Sequence, residues 1–483
     1  MTDTTDPLQG YAVDLLVLHG LLITMDASRR ILRDGAVAVS GGRIVEIGFS
    51  NELKQKYRAE SIIDATGRLV MPGLIDGHNH PMAYLLGGMS DDVDVFTAVF
   101  KYLYPYEALL TPEQTQVCAL GNFAEMLKNG TTCFNDPGGY NVDRIAEAAR
   151  EIGIRGIINR STRDVSPRGK SSAPAAALES LDVNLVEAEK VVRQWNGACD
   201  GRLRAWFGLR NVLTTSDQLI EAIRDLSIRY DTGVHSHAAS VKGENEESVK
   251  LYGKRSLRRY LDRGLFSPRL YIAHGGFPDE DELGWIRQHD VKVAHCPAAS
   301  MKGAWGIIEN GMIPRMIKEG VCVSLGTDTN GAAGSLDMFR QLFLVAIAHR
   351  ESHGDPTLIG PYKALEMATI DGARACLWDS DIGSLQPGKC ADIVIVATGG
   401  PEWQHAGRDI VRKIVYCATG SSVETVIIDG KIVMRDREIL TLDEERLKHD
   451  VAEAGQLWME KAGYSVSAAW PELQRGSHAG SLA

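Results

Sequence analysis

The sequence predicts an α/β protein: a (β/α)8, TIM-like barrel with a small β-sandwich domain formed from both chain ends. Three observations predict it. Both ends of the 483-residue chain are β-rich, while the long stretch between them alternates short apolar runs with helical patterns. Those central runs close on polar residues, as in GLIDGHNH, GTTCFND, IRGIINRS, RAWFGLRN, TGVHSHAAS, RLYIAHG, VKVAHCP and VCVSLGTD, and such βα alternation is what a closed parallel barrel needs. No Gly-x-Gly-x-x-Gly loop follows the early strands, which argues against an open doubly wound sheet.

The elements follow in order. Residues 1–70 form the N-terminal half of the sandwich: VDLLVLHGLLITMD is apolar and branched, GAVAVSGGRIVEIG alternates, and SIIDATGRLV reads as one more short strand. Residues 71–384 form the barrel, with helices in segments such as EQTQVCALGNFAEMLKNG, NVDRIAEAAREIG, SDQLIEAIRDLSIRYD and DEDELGWIRQHD. Residues 385–440 complete the sandwich with ADIVIVA, RKIVYCA and ETVIIDGKIVMRDREIL, where Asp429-Gly430 marks a hairpin turn. Residues 441–483 hold an amphipathic helix over 442–463 and a loose tail. The aromatic segment 85–110 serves as a lid or as a subunit contact.

Composition narrows the class. With 44% hydrophobic and 24% charged residues the chain is an ordinary globular one. Lys plus Arg number 52 against 63 Asp plus Glu, a net charge of −11, which disfavours nucleic acid and anionic membrane surfaces as partners. The opening MTDTTDPLQG lacks a basic region and an apolar core, so no secretory signal is expected there, and no run is apolar enough to span a bilayer. Eight scattered cysteines without a CxxC pair fit free thiols in a reduced, cytoplasmic protein.

Histidine placement carries the chemistry. His78 and His80 lie two apart after an apolar run, and His235 and His237 repeat the spacing, so each pair shares one face of a strand. His274 and Asp328 close two further strands. All fall at carboxyl ends, where barrel enzymes place their sites. Two imidazoles at i and i+2, a third from another strand and a carboxylate suit one divalent metal; a lone histidine would instead read as a packed or hydrogen-bonded residue.

VMPGLIDGHNHP, GVHSHAAS, YIAHGG, VAHCPAASM, SLGTDTNG, GSLQPGKCADIVIV and VETVIIDGKIVMRD, in this order, resemble the motifs of the metal-dependent amidohydrolase superfamily, over roughly residues 12–440. The branch is similar to methylthioadenosine/adenosylhomocysteine deaminases, guanine deaminase and triazine hydrolases, with a looser likeness to molinate and phenylurea hydrolases. The resemblance implies His78, His80, His237 and Asp328 as metal ligands, with His274 and Asp328 as the catalytic pair. Asp328 would shuttle protons, and His274 would contact the attacking water or the substrate. It implies one divalent ion per subunit, zinc first, with cobalt, iron or manganese as substitutes. It also implies a homo-oligomer, dimer or tetramer, acting on a small molecule. Binuclear relatives use a carboxylated lysine on the fourth strand; RAWFGLRNVL has none, and Arg210 cannot replace it, so the site reads as mononuclear.

One departure shapes the expected reaction. Deaminases of this branch read His-x-x-Glu on the fifth strand, whereas Ser240 stands at that spacing from His237. Glu244, Glu246 and Glu247 lie nearby, and the sequence leaves open whether one of them folds back to replace that acid; they read first as charges on a solvated helix N-terminus. Without the acid, the expectation shifts to an acyl C–N or C–S bond, in an amide, urea, carbamate or thiocarbamate such as a herbicide. The alternative is an aminohydrolase or chlorohydrolase of a purine, pyrimidine or s-triazine ring. A non-enzymatic scaffold would have lost ligands that are all present here. Candidate substrate contacts are Asn79, Met82, Arg210, Ser240 and Asn330. Arg160, Arg163 and Arg210 read first as salt-bridged structural residues, and His295-Cys296 as packing behind the site.

Overall fold

The computed structural model describes residues 10–167, 169–465 and 470. Five strands open the chain: β1 (Tyr11–Ile23), β2 (Ile31–Ser40), β3 (Arg43–Phe49), β4 (Tyr57–Asp64) and β5 (Arg68–Pro72). Eight form the barrel: β6 (Leu74–Asp76), β7 (Thr131–Asn135), β8 (Arg155–Thr162), β9 (Leu203–Asn211), β10 (Val234–Ala238), β11 (Leu270–His274), β12 (Lys292–His295) and β13 (Val323–Leu325). Four more follow: β14 (Ile393–Ala397), β15 (Val423–Ile428), β16 (Lys431–Arg435) and β17 (Glu438–Ile439).

Strands β6 to β13 pair in sequence order, all parallel. The ring closes just past the strand ends, where the Gly77 N–H donates to the Leu325 carbonyl (2.8 Å) and the Asp328 N–H to that of His78 (2.7 Å). Glycine makes this approach possible. A Cβ on Gly77 would lie 2.3 Å from the Tyr271 hydroxyl, and one on Gly326 would lie 2.8 Å from the backbone nitrogen of His78. Ile75, Cys133, Ile157, Trp206, Tyr271 and Ala294 fill the interior as a packed core. Outer helices start on side-chain caps, including Thr111 with Gln114 as a capping box, Ser180, Ser216 and Asp279.

The terminal strands form one nine-stranded mixed sheet in which β5 pairs antiparallel with β14, joining the two chain ends. The sheet curls until the β2–β3 hairpin meets the segment leading into β14: Ile44 N–H donates to the Lys389 carbonyl and Ala391 N–H to that of Gly42, both at 2.9 Å. Leu15, Val37, Val39, Ile393, Ile395 and Ile427 pack inside, so the curled sheet works as a sandwich. A buried ion pair ties it to the base of the barrel. Arg155, at the start of β8, donates to both Asp392 oxygens (2.6 and 3.0 Å) and to Asp429 (3.3 Å).

Two local expectations need correction. SIIDATGRLV spans parts of two strands, β4 and β5, around a turn at Thr66-Gly67. RKIVYCA lies in a helix, Ile410–Cys417, capped by Asp409, because its apolar Val411, Ile414 and Val415 recur at helical spacing and bury together. The C-terminal helix runs Glu444–Ala462. Apart from Trp470, the expected tail from 466 onward lies outside the described residues. Among the described residues no helix is long and apolar enough to cross a membrane.

Candidate active site

Five barrel strands, β6, β9, β10, β11 and β13, present side chains from their carboxyl ends to one cavity. Alternation along the segment after β6 turns His78 and His80 inward, and β10 does the same for His235 and His237. His274 ends β11 and Asp328 follows β13; both hold left-handed backbone (φ 70° each), the kind of strain that collects at functional sites. The Nε2 atoms of His78 and His80 stand 3.8 and 3.6 Å from Asp328 Oδ1, and His274 Nε2 stands 3.7 Å from Oδ2. His237 Nε2 lies 3.4 Å from His80 Nε2.

Hydrogen bonds behind the rings set their tautomers. The Arg210 carbonyl accepts from His237 Nδ1–H (2.8 Å), leaving the Nε2 lone pair bare. Asn135 Oδ1 accepts from His235 Nδ1–H (3.0 Å), so His235 Nε2 must accept from His78 Nδ1–H (3.1 Å). Among the described residues this leaves His78 Nε2 without a hydrogen-bond partner, 3.8 Å from Asp328, and His80 Nδ1 lacks one too. Asp76 accepts from the amides of His78 (3.2 Å) and Thr327 (2.9 Å), bracing the turns that carry the ligands.

Burial decides the charge states. It holds His78, His80 and His237 well below the usual imidazole range, with neighbouring imidazoles or Arg210 adding to the effect, and brings His274 down to about 3. It pushes Asp328 up to about 7. Neutral imidazoles converging bare lone pairs on a carboxylate that resists ionising alone are what a divalent cation would stabilise. Candidate ligand atoms of His78, His80 and Asp328, and those of His78, His237 and His274, each lie within 4.8 Å of one another. The residues fit a metal of zinc's preferences. His274 stands inside this convergence, and Trp305 covers its ring edge-on at 4.8 Å. Cys296 lies in reach too, but burial pushes its thiol well up, which disfavours ligation.

The other singled-out residues divide. Arg210 and Ser240 line the cavity with His80, His237, His274 and Asp328. Asn79 points the other way, donating to Thr327 Oγ1 (3.1 Å) and the Asp328 carbonyl (3.2 Å). Met82 is fully buried, its carbonyl accepting from the Tyr106 hydroxyl at 2.8 Å. Asn330 donates to Glu125 (3.2 Å). The arginines are salt-bridged: Arg160 to Glu179, and both Arg163 and Arg210 to Glu107. His295 is buried against His349, with Nε2 atoms 3.2 Å apart.

The acidic cluster departs from expectation. Glu246 is exposed, but Glu244 and Glu247 are buried, and Glu244 lines the cavity. The helix Lys242–Tyr252 starts so close behind β10 that its first turn folds Glu244 back. The two carboxyl oxygens accept from the amides of Ala239 (2.8 Å) and Ser240 (3.1 Å). Burial raises its pKa above the usual range despite those bonds. The available signal was spacing: a carboxylate four residues past Ser240, in a first helical turn, can reach back to it.

This site on this fold is that of a metal-dependent hydrolase. The amidohydrolase family profile matches residues 69–433, and the chain belongs to that family. It is 33% identical over 441 residues to a 5-methylthioadenosine/S-adenosylhomocysteine deaminase of Pelotomaculum thermopropionicum, covering 90% of this chain and 96% of the relative. An adenosine deaminase from Xanthomonas campestris with bound zinc superposes with a TM-score of 0.84 at 28% identity, covering 94% of this chain and 99% of that one. An atrazine chlorohydrolase from Arthrobacter aurescens, complexed with zinc, shares the fold with a TM-score of 0.80 at 23% identity, covering 91% and 100%. The chain is a metal-dependent hydrolase, and its relatives support hydrolytic C–N cleavage. Neither deaminase is named for acyl, thiocarbamate or phenylurea substrates, so the balance moves to the ring-directed alternative.

Proposed function

We propose that this enzyme is an aminohydrolase that releases ammonia from an amino-substituted nitrogen heterocycle of the purine type. The observation that carries the reading is Glu244, a buried carboxyl in the cavity wall bonded to the amide of Ser240. It returns to the site the acid that position 240 lacks. The names of the relatives support the same chemistry.

His78, His80, His237 and Asp328 would hold one divalent ion, zinc by donor type. Such an ion lowers the pKa of a bound water from 15.7 to about 7. Asp328 takes a proton from the attacking water and returns it to the departing amine, a task that its place beside His78, His80 and His274 allows. Glu244 protonates the ring nitrogen next to the attacked carbon, which the raised pKa favours. His274, neutral, hydrogen-bonds the attacking oxygen and stabilises charge there.

A panel of adenine derivatives, guanine, cytosine and aminotriazines, set against anilides, ureas and thiocarbamates, tests this by product identification. Ammonia from a ring substrate, lost in Glu244→Gln, is the expected result. Release of an aniline or secondary amine with unaffected Glu244→Gln turnover would favour acyl cleavage, the reading that Ser240 by itself supports.

A further inference from the structure

The far end of the same cavity indicates what else the substrate carries; this inference rests on the ring-aminohydrolase reading. Beyond the histidines and Trp305, which packs on His274, this cavity of about 120 Å³ is walled by Val95, Val99, Phe100 and Leu103, with Leu213 beside them. Residues Ala98–Leu103 form a π-helix, a rare arrangement that is frequent at functional sites. Of the polar side chains in this cavity, Asn211 and Arg210 are already engaged, while Ser90 and Ser240 contribute hydroxyls away from the apolar wall's own residues. Asn211 donates to the Tyr104 hydroxyl (2.8 Å), while its oxygen accepts from the amides of Leu213 (2.9 Å) and Thr214 (3.1 Å). Arg210 donates to the Gly138 carbonyl (3.0 Å) and pairs with Glu107 (2.7 Å). Glu107, only 1% exposed, gives its second oxygen to Arg163 (2.9 Å). A sugar set against Val95, Val99, Phe100 and Leu103 would turn its hydroxyls toward apolar side chains, each hydroxyl left unpaired costing roughly tenfold in binding. An alkyl or aryl group would instead exchange water for apolar contact.

We infer that the substrate is an amino-heterocycle bearing an apolar alkyl or aryl substituent rather than a glycosyl group. The test uses the metal-loaded enzyme with 9-butyladenine, 9-benzyladenine and adenosine, following ammonia release. Calorimetric binding of 9-benzylpurine and purine riboside, which carry no amino group, runs alongside. The expected result is at least a tenfold preference for the apolar compounds in both kcat/KM and Kd. Val99 is half-buried, and Val99→Asn should narrow the binding preference at least threefold. Equal or better handling of the ribosides overturns the inference while leaving the aminohydrolase reading intact. If no adenine derivative yields ammonia, that reading falls, and the binding ratio alone decides for or against the apolar substituent.

Discussion

The two ends of the cavity are built differently. At the metal end, side chains from separate strands converge, each braced from behind: His78 by His235 and Asn135, His237 by the Arg210 carbonyl, Asp328 by the closing of β13 onto β6. The far wall comes mainly from one excursion, residues 95–103, with a π-helical turn, half-buried Val95 and Val99, and buried Phe100 and Leu103. On the proposed reading the barrel fixes the chemistry and this one excursion sets the substrate preference, a division that would let loops change without disturbing catalysis.

Breaking the metal end should have the largest effect. His237→Ala should remove bound metal and lower activity by more than about a thousandfold, checked by elemental analysis and initial rates; retained metal and turnover would show that His237 is dispensable. Chelation should act likewise and reverse on adding zinc. Next comes Glu244→Gln, with an expected loss of about 10²–10⁴. Because burial lifts the Glu244 carboxyl, its acid form persists to higher pH, and kcat/KM should fall as pH rises through its pKa. In the Gln variant that alkaline limb should vanish from the remaining rate. A smaller effect tests the bracing: His235→Gln should weaken metal affinity by about 10–100-fold, measured by competition with a chelator, because the tautomer of His78 is no longer enforced. The smallest sharpens the contrast from the other side. Phe96→Leu in the far wall should leave metal content unchanged and alter kcat/KM by only a few fold (about 1 kcal/mol or less).

Much of this was legible in the sequence. Strand and helix periods differ, so the barrel and its order could be read, and the HxH spacing alone put both imidazoles on one face. The same alternation could have placed Asn79: lying between His78 and His80, it must face away, as it does. RKIVYCA was ambiguous because a short branched run fits a buried strand as well as one face of a helix. For Glu244 the spacing allowed a reach back to Ser240 but did not require it, because the outcome depends on how tightly the helix follows β10. Glu107 could not be seen as a hub for two arginines, since its partners lie 56 and more residues away.

The pairing of β5 with β14 also bears on how the chain is made. During synthesis, one edge of β5 stays open until residues 393–397 emerge, roughly half a minute later at about 10 residues per second. Through that interval an apolar strand, RLVMP, offers unpaired backbone to any other strand in reach. Truncation before β14 would make that exposure permanent, so a shortened chain should be captured by chaperones or aggregate even though every proposed metal ligand has already been translated.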